Sequence, residues 1–415
     1  MRLGDLRRSS ARFDLSVLTT SRIVGAAAQA STLLVVAARV GASDFGLLSL
    51  WLGVLLVASA LTSLGQFNYV VRAAAEGRQD RLKASFRLSW TAGLSVTMLL
   101  CATILALTGE ALWCFMAAAF LVERQNDLTV AAHLGRRQML IPAVFSTARP
   151  AIGLAGYLCL SLAVGVDDIS SYVVARLVAA IVLNLGTWLM SDKGEAGVQP
   201  ASILSTLRDI APMAWANTAG VLRQLDVAVV TTVSGTGTAG VFGLGSRLST
   251  PILLGTDALA SILLPRANHG GSAYSRRLCR RVVRLGTIAG TPWVALSMVD
   301  ADGAFTSVVG DDFSGIFRVM MIMMWATTAS ATASLIATVL QANNLDRSVA
   351  ANSLINLPLA LSLVAVGALS WGALGGAVGV AMGATLRFAT LWWTAEARLA
   401  NPSARPGAPV AVSDA

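Results

Sequence analysis

Charge is scarce in this chain: only 13% of its 415 residues are Asp, Glu, Lys or Arg, roughly half the share found in ordinary soluble domains. With 55% hydrophobic residues and a mean hydropathy of +0.68, a soluble globular protein is excluded. Cysteine is scarce as well. Cys101, Cys114 and Cys159 fall in apolar runs and Cys279 in a basic connection, so no disulfide framework is indicated. The two histidines, His133 and His269, have no ligand cluster beside them, and no metal site is expected. A Walker-type phosphate loop is missing, which argues against direct use of ATP, and no cofactor is implied. No small-residue cleavage site closes the first apolar run, so a cleaved signal peptide is not expected.

What the chain does contain is a series of apolar runs, each long enough to cross a hydrocarbon core of about 30 Å as a helix. Twelve can be counted: 16–38, 46–67, 86–107, 111–131, 142–164 and 171–190, then 210–233, 239–264, 283–299, 316–341, 348–369 and 373–395. Basic residues test that count, because Lys and Arg collect in cytoplasmic loops. With the N-terminus inside, the loops on that side hold Arg72, Arg78, Arg81, Lys83, Arg136, Arg137, Arg276, Arg277, Arg280, Arg281 and Arg284 among others. The outer connections carry acids alone: Asp44, Glu110, Asp167, Asp168, Asp300, Asp302, Asp311 and Asp312. One miscounted helix would scramble this partition. The net charge of +9 therefore reflects topology and contact with membrane lipids, not nucleic acid binding.

The two halves of the chain share a design. An apolar run containing Arg22 ends at Val40, turns through Gly41-Ala42-Ser43-Asp44, and re-enters at Gly46-Leu47-Leu48. Later, a run containing Arg223 and Asp226 turns through Ser234 to Thr238 and re-enters at Gly240-Val241-Phe242-Gly243. Gly46 and Gly240 are 194 positions apart, close to half the chain. The expected architecture is an all-α polytopic membrane protein of about twelve transmembrane helices in two related six-helix lobes. The N-terminal lobe is assigned to 1–190, a cytoplasmic linker to 191–209, the C-terminal lobe to 210–395 and a disordered cytoplasmic tail to 396–415.

Nine arginines lie within or at the rims of the runs: Arg22, Arg39, Arg124, Arg149, Arg176, Arg223, Arg247, Arg318 and Arg387. A charge at the bilayer centre costs at least about 2.5 kcal/mol on insertion scales, so such groups should face a cavity or a partner unless they snorkel. Arg39 and Arg318 sit at helix ends and are expected to snorkel. Only Glu123, Asp127, Asp226 and Asp257 accompany them, which makes the interior net cationic and suited to an anionic ligand. Glu123 and Asp127, four apart, share one helical face. The competing reading is that each arginine pairs with an acid or a carbonyl and locks helices together, a strong alternative for Arg223 with Asp226 three residues on.

The segments GASDFGLLSL and LDVAVVTTVSGTGTAGVFGLGSRL resemble signatures of the oligosaccharide flippase (Wzx-type) family of the multidrug/oligosaccharidyl-lipid/polysaccharide exporter superfamily. Leu264-Pro265-Arg266, Val309-Gly310-Asp311-Asp312-Phe313 and the small-residue run Gly372 to Gly379 extend the resemblance over most of the chain. It implies two six-helix lobes around a central cavity, alternating access, and passage of a lipid-linked oligosaccharide on polyprenyl diphosphate between leaflets. It also implies a bacterial inner membrane with both termini cytoplasmic, and a polysaccharide polymerase and glycosyltransferases as pathway partners. Arginine binds phosphate oxygens in pairs, so Arg22, Arg223, Arg247 and Arg387, with Arg149 and Arg176, are the candidate substrate-binding residues. Glu123, Asp127, Asp226 and Asp257 are the candidate coupling carboxylates. A small-molecule exporter of the multidrug branch would favour acids and aromatics in its cavity. A membrane polymerase or glycosyltransferase would need large outer loops.

Overall fold

The computed structural model describes residues 3–63, 65–136, 138–190, 201–253, 271–343 and 345–400, with Thr256, Leu259 and Ala267; side chains are described except those of 3–16, 19, 188–190 and 212–220. The described residues are almost all helical, with no strand among them. The helices are α1 (Leu3–Thr62), α2 (Gln66–Ala75), α3 (Gln79–Thr108), α4 (Leu112–Gly135), α5 (Leu140–Leu158), α6 (Asp168–Met190), α7 (Ile203–Leu222) and α8 (Asp226–Ser249). They continue as α9 (Gly271–Leu296), α10 (Asp302–Val309), α11 (Ile316–Ala342) and α12 (Asp346–Ala400).

The longest of these cannot be single crossings. At about 1.5 Å per residue a helix of 55 residues would run roughly 80 Å, far more than a bilayer core, and α12 has that length. Its chain breaks at Trp371 and Gly372 and turns back. The 60-residue α1 breaks at Gly41 (φ 76°, ψ 172°) and α8 breaks at Gly235 (φ 84°, ψ 171°). These positive φ values are ones that a Cβ disfavours, and the two glycines are again 194 positions apart. With these breaks, α1 and α12 supply two crossings each. Helices α3, α4, α5, α6, α9 and α11 supply one each, and α7 with the first part of α8 makes another. The remainder of α8 begins the last, giving the twelve membrane crossings and two lobes that the apolar runs predict. Among the described residues seven helical stretches are apolar enough to be recognised as spans by composition alone; α4 and α9 carry more charge.

The two hairpins form the centre of the main core. Phe45, Leu48, Val230, Phe242 and Leu244 are fully buried there, packed with Trp113, Phe313 and Ile316. Phe45 meets Phe313 edge-on at 6.2 Å, and Trp51 stacks on Trp113 at 5.4 Å. Met320, Met321 and Met323 join this core from α11. Leu107, Met98 and Leu99 face outward, as suits lipid contact.

Several boundaries differ from the sequence expectation. The part of the linker at 191–200 lies outside the described residues, but α7 already begins at Ile203, because the polar stretch Ser205 to Asp209 continues the helix below the membrane run. Helix α12 runs on to Ala400, past the expected start of the tail; residues 401–415 lie outside the described residues. The first loop of the N-terminal lobe contains an additional short helix, α2, whose Tyr69, Val70, Ala73 and Ala74 are buried. Pro150 lies inside α5 and the helix runs past it, ending in a π turn at Cys159–Val164.

Candidate functional site: an arginine-lined central cavity

Between the lobes lies a cavity of about 470 Å³. At one end the lobes are closed: the α1 turn and the α8 turn press together, and Ser43 Oγ and Thr236 Oγ1 lie 3.0 Å apart. The cavity lies toward the other end, where the basic connections are, and is walled by α1, α4, α5, α6, α8, α11 and α12. Two side chains link the lobes at that basic end, Arg81 of α3 and Asp209 of α7, at 3.4 Å.

Six arginines line the cavity, Arg124, Arg149, Arg176, Arg223, Arg247 and Arg387, against three carboxylates, Glu123, Asp127 and Asp226. The wall thus carries a net charge of three positive. The two lobes use their arginines differently.

On the N-terminal side every residue of the stretch that interrupts α4 has a side-chain partner, and of its buried polar atoms Gln125 Oε1 has none among the described residues. Arg176 of α6 grips Glu123 with two parallel bonds, Nε to Oε1 at 2.8 Å and Nη2 to Oε2 at 2.7 Å. Its Nη1 donates to the Tyr172 hydroxyl at 3.2 Å, and its guanidinium lies 4.3 Å from the centre of the Phe120 ring. Asp127 accepts from Arg124 and from Arg149 of α5, both at 3.3 Å. Gln125 donates to Ser89 Oγ at 2.9 Å, and Asn126 to the Ala180 carbonyl at 3.0 Å while accepting from Asn184. A polar group in a membrane interior is costly unless paired, and this segment is paired residue by residue, tying α3, α5 and α6 to α4. The candidate ligands Arg149 and Arg176 are therefore ion-paired, and so are the candidate coupling acids Glu123 and Asp127.

On the C-terminal side the arginines lack such partners. Arg247 has its Nε and Nη2 buried without a hydrogen-bond partner, and Arg387 its Nε. Arg223 donates only a long bond, 3.4 Å, to Ser330 Oγ. The expected pairing of Arg223 with Asp226 along one helix face is not formed. Arg223–Leu225 is a 3-10 turn between α7 and α8, and both side chains are engaged elsewhere, Arg223 with Ser330 and Asp226 with the adjoining backbone. Asp226 begins α8 instead, its Oδ1 accepting the Val227 N–H at 2.8 Å.

Arg22 does not join this group. It lies on α1 seven residues before Gln29, the first α1 residue in the cavity wall. Two helical turns carry it about 10 Å further along the axis, and it is not part of the lining. Asp257 lies outside the described residues. The structure adds wall residues that sequence reasoning missed: Tyr172, Gln29, Gln224, Ser246, Thr327 and Ser330. Tyr172 was findable, one turn before Arg176 on α6; the scattered hydroxyls and amides carry no periodic signal.

The fold is similar to that of MATE transporters. A mutant of the Vibrio cholerae MATE transporter VcmN superimposes with a TM-score of 0.66 at 14% identity, over 95% of this chain and 98% of that one. An inward-facing multidrug resistance MATE family transporter of the MOP superfamily gives 0.63 at 16% identity, over 95% and 96%. An outward-facing one gives 0.63 at 15%, over 95% and 97%. Among curated protein sequences nothing matches. The chain belongs to the polysaccharide biosynthesis protein family, whose model matches residues 35–318.

Proposed function

We propose that the protein is a flippase that moves a lipid-pyrophosphate-linked oligosaccharide from the inner to the outer leaflet by alternating access. The observation that carries this reading is the convergence of Arg223, Arg247 and Arg387 on one cavity, with buried guanidinium nitrogens of Arg247 and Arg387 unsatisfied by the described residues. Buried donors without partners are costly, and a diphosphate offers charged acceptor oxygens that suit guanidinium forks. Hydroxyls and amides around them, from Ser246, Thr327, Ser330 and Gln224, can serve the first sugar. The lobes are closed against each other at the hairpin end and the cavity lies toward the basic end, so in this reading it is loaded from the cytoplasmic side.

Membership in a polysaccharide biosynthesis family supports the sugar cargo, and the fold supports alternating access. In this reading the protein sits in a bacterial inner membrane with both termini cytoplasmic, beside the polymerase and glycosyltransferases of its pathway. Asp226 is the wall carboxylate without an ion pair among the described residues, and we assign ion coupling to it ahead of Glu123 and Asp127. The multidrug branch shares the fold, but a wall with three excess positive charges repels organic cations.

The deciding experiment uses proteoliposomes and a fluorescent polyprenyl diphosphate oligosaccharide, with the same lipid lacking phosphate as control. Faster arrival of the diphosphate alone in the opposite leaflet, lost in Arg247→Gln and Arg387→Gln, is the expected outcome. Efflux of organic cations without movement of either lipid would overturn the reading.

A further inference from the structure

A second cleft, of about 380 Å³, lies at the hairpin end, opposite the basic loops. Three turns meet there. The segment after the Gly235 break contributes Thr238, the start of α10 contributes Asp302, the connection between α10 and α11 contributes Asp312 and Ser314, α11 itself adds Arg318, and the break in α12 contributes Trp371.

The α12 break determines how the indole is presented. Trp371 (φ −136°, ψ 23°) and Gly372 (φ 58°, ψ −137°) reverse the chain, which leaves the Trp371 side chain 70% exposed at the cleft. Asp302 spends one oxygen on α11, its Oδ1 accepting the Phe317 N–H at 2.9 Å, and keeps Oδ2. The side chains of Thr238, Asp312, Ser314, Arg318 and Trp371 form no hydrogen bond or ion pair with the described residues. Asp312 and Arg318 thus line one cleft without neutralising each other. The cleft that Trp371 lines combines an apolar wall of Val241, Val319, Ala373 and Leu374 with two carboxylates and a guanidinium.

The combination has a definite chemical complement. An exposed indole offers a flat apolar face with one N–H donor. Carboxylates accept from hydroxyls, a guanidinium donates to them, and hydroxyl side chains do both. A sugar ring presents C–H groups on one face and hydroxyls around its rim, so it uses all of these at once. A free divalent cation would be repelled by Arg318 and would leave the indole unused.

We propose that this cleft is a saccharide-binding site, holding the sugar chain on the membrane face opposite the basic loops. The proposal rests on the reading of the cargo as a lipid-linked oligosaccharide, but not on diphosphate recognition by the central arginines. A chain held here occupies the seam between the α8 turn, the α10–α11 connection and the α12 turn, all of which lie on the C-terminal lobe.

The test uses the full-length protein in lipid nanodiscs and, as probe, oligosaccharides released by mild acid from the lipid-linked pool of the source cells. These carry no diphosphate, so central phosphate recognition does not contribute. Saturation-transfer NMR is expected to show contact with sugar C–H protons. Binding should weaken about tenfold or more in Trp371→Ala and in Asp312→Asn, while Trp371→Phe, which keeps an aromatic face, retains most of it. Asp312→Asn and Trp371→Phe change little volume and keep the test valid should Trp371→Ala fail to fold. No transfer to any oligosaccharide, or binding unchanged in Trp371→Ala and Asp312→Asn, would overturn the proposal. So would loss in Arg247→Gln with retention in Trp371→Ala, which would place the sugar in the central cavity. The lipid assay described above reads the other site separately.

Discussion

Gly46 and Gly240 occupy equivalent places in the two hairpins, and each lies against the backbone of the other hairpin. A Cβ on Gly46 would overlap the Thr236 carbonyl, and a Cβ on Gly240 would overlap the Ala42 carbonyl. Ala42 and Thr236 are themselves separated by the same 194 positions as the glycines. The contact is therefore self-complementary, as expected where two related lobes meet about an approximate two-fold axis.

Gly46→Val should hold the hairpins apart and disfavour the conformation closed at that end. Overpacking a close contact costs about 1–3 kcal/mol, enough to shift a two-state balance between roughly fivefold and 150-fold. Cysteine accessibility at Ser43 should rise and lipid transport should fall, while expression stays near wild type. Unchanged accessibility would show that the glycine contact does not control this end.

The cavity arginines should separate into two classes by stability. Arg176→Gln leaves Glu123 buried beside an uncharged side chain, and breaking a buried pair in this way costs about 3–5 kcal/mol. Arg247→Gln and Arg387→Gln remove charges that have no carboxylate partner and should leave thermal stability unchanged or raised. Melting curves in detergent read the difference directly. In the transport assay the order should reverse, with Arg247→Gln and Arg387→Gln inactive though well folded.

The Arg81–Asp209 pair joins the lobes at the basic end and is partly exposed, with side-chain accessibilities of 30% and 43%. Such pairs contribute about 0–1 kcal/mol, so Asp209→Arg should alter transport rate by no more than a few-fold. The double exchange Arg81→Asp with Asp209→Arg should restore it. Raising the salt concentration should erase the difference between the variants.

Beyond the last membrane run, Glu396 accepts from Arg280 at 2.8 Å and from Arg276 at 2.6 Å, tying α12 to α9. The Arg280 hydrogen bond, aided by Arg276, holds the Glu396 carboxyl below its ordinary value of 4.5. A lowered carboxylate contributes stability that is present above the unfolded value and fades as pH falls through the native one. Glu396→Gln should therefore melt somewhat below wild type at pH 7. The gap should close under acid conditions below the ordinary carboxylate range.

Much of the architecture was legible in the chain because a bilayer imposes simple rules. Apolar length decides a crossing, and basic residues mark one side. The spacing of Gly46 and Gly240 disclosed both turns and the kinship of the lobes, and the structure adds that each turn pivots on a glycine of positive φ, Gly41 and Gly235. The net cationic interior was legible too, from composition alone. Which arginines are available was not. Arg149 and Arg176 look like Arg247 and Arg387 in sequence, and only the approach of α5 and α6 to α4 consumes the first two in pairs with Asp127 and Glu123. Arg223 and Asp226 look like a helical pair until Arg223 is seen to reach Ser330 on α11 and Asp226 to accept from the Val227 N–H. Arg22 looks like a cavity residue until its depth along α1 is known. The outer cleft joins Thr238, Asp312 and Trp371 from three distant turns. Local rules act through neighbours along the chain, whereas the neutralisation of a charge depends on what lies beside it in space, which is decided only when the helices pack.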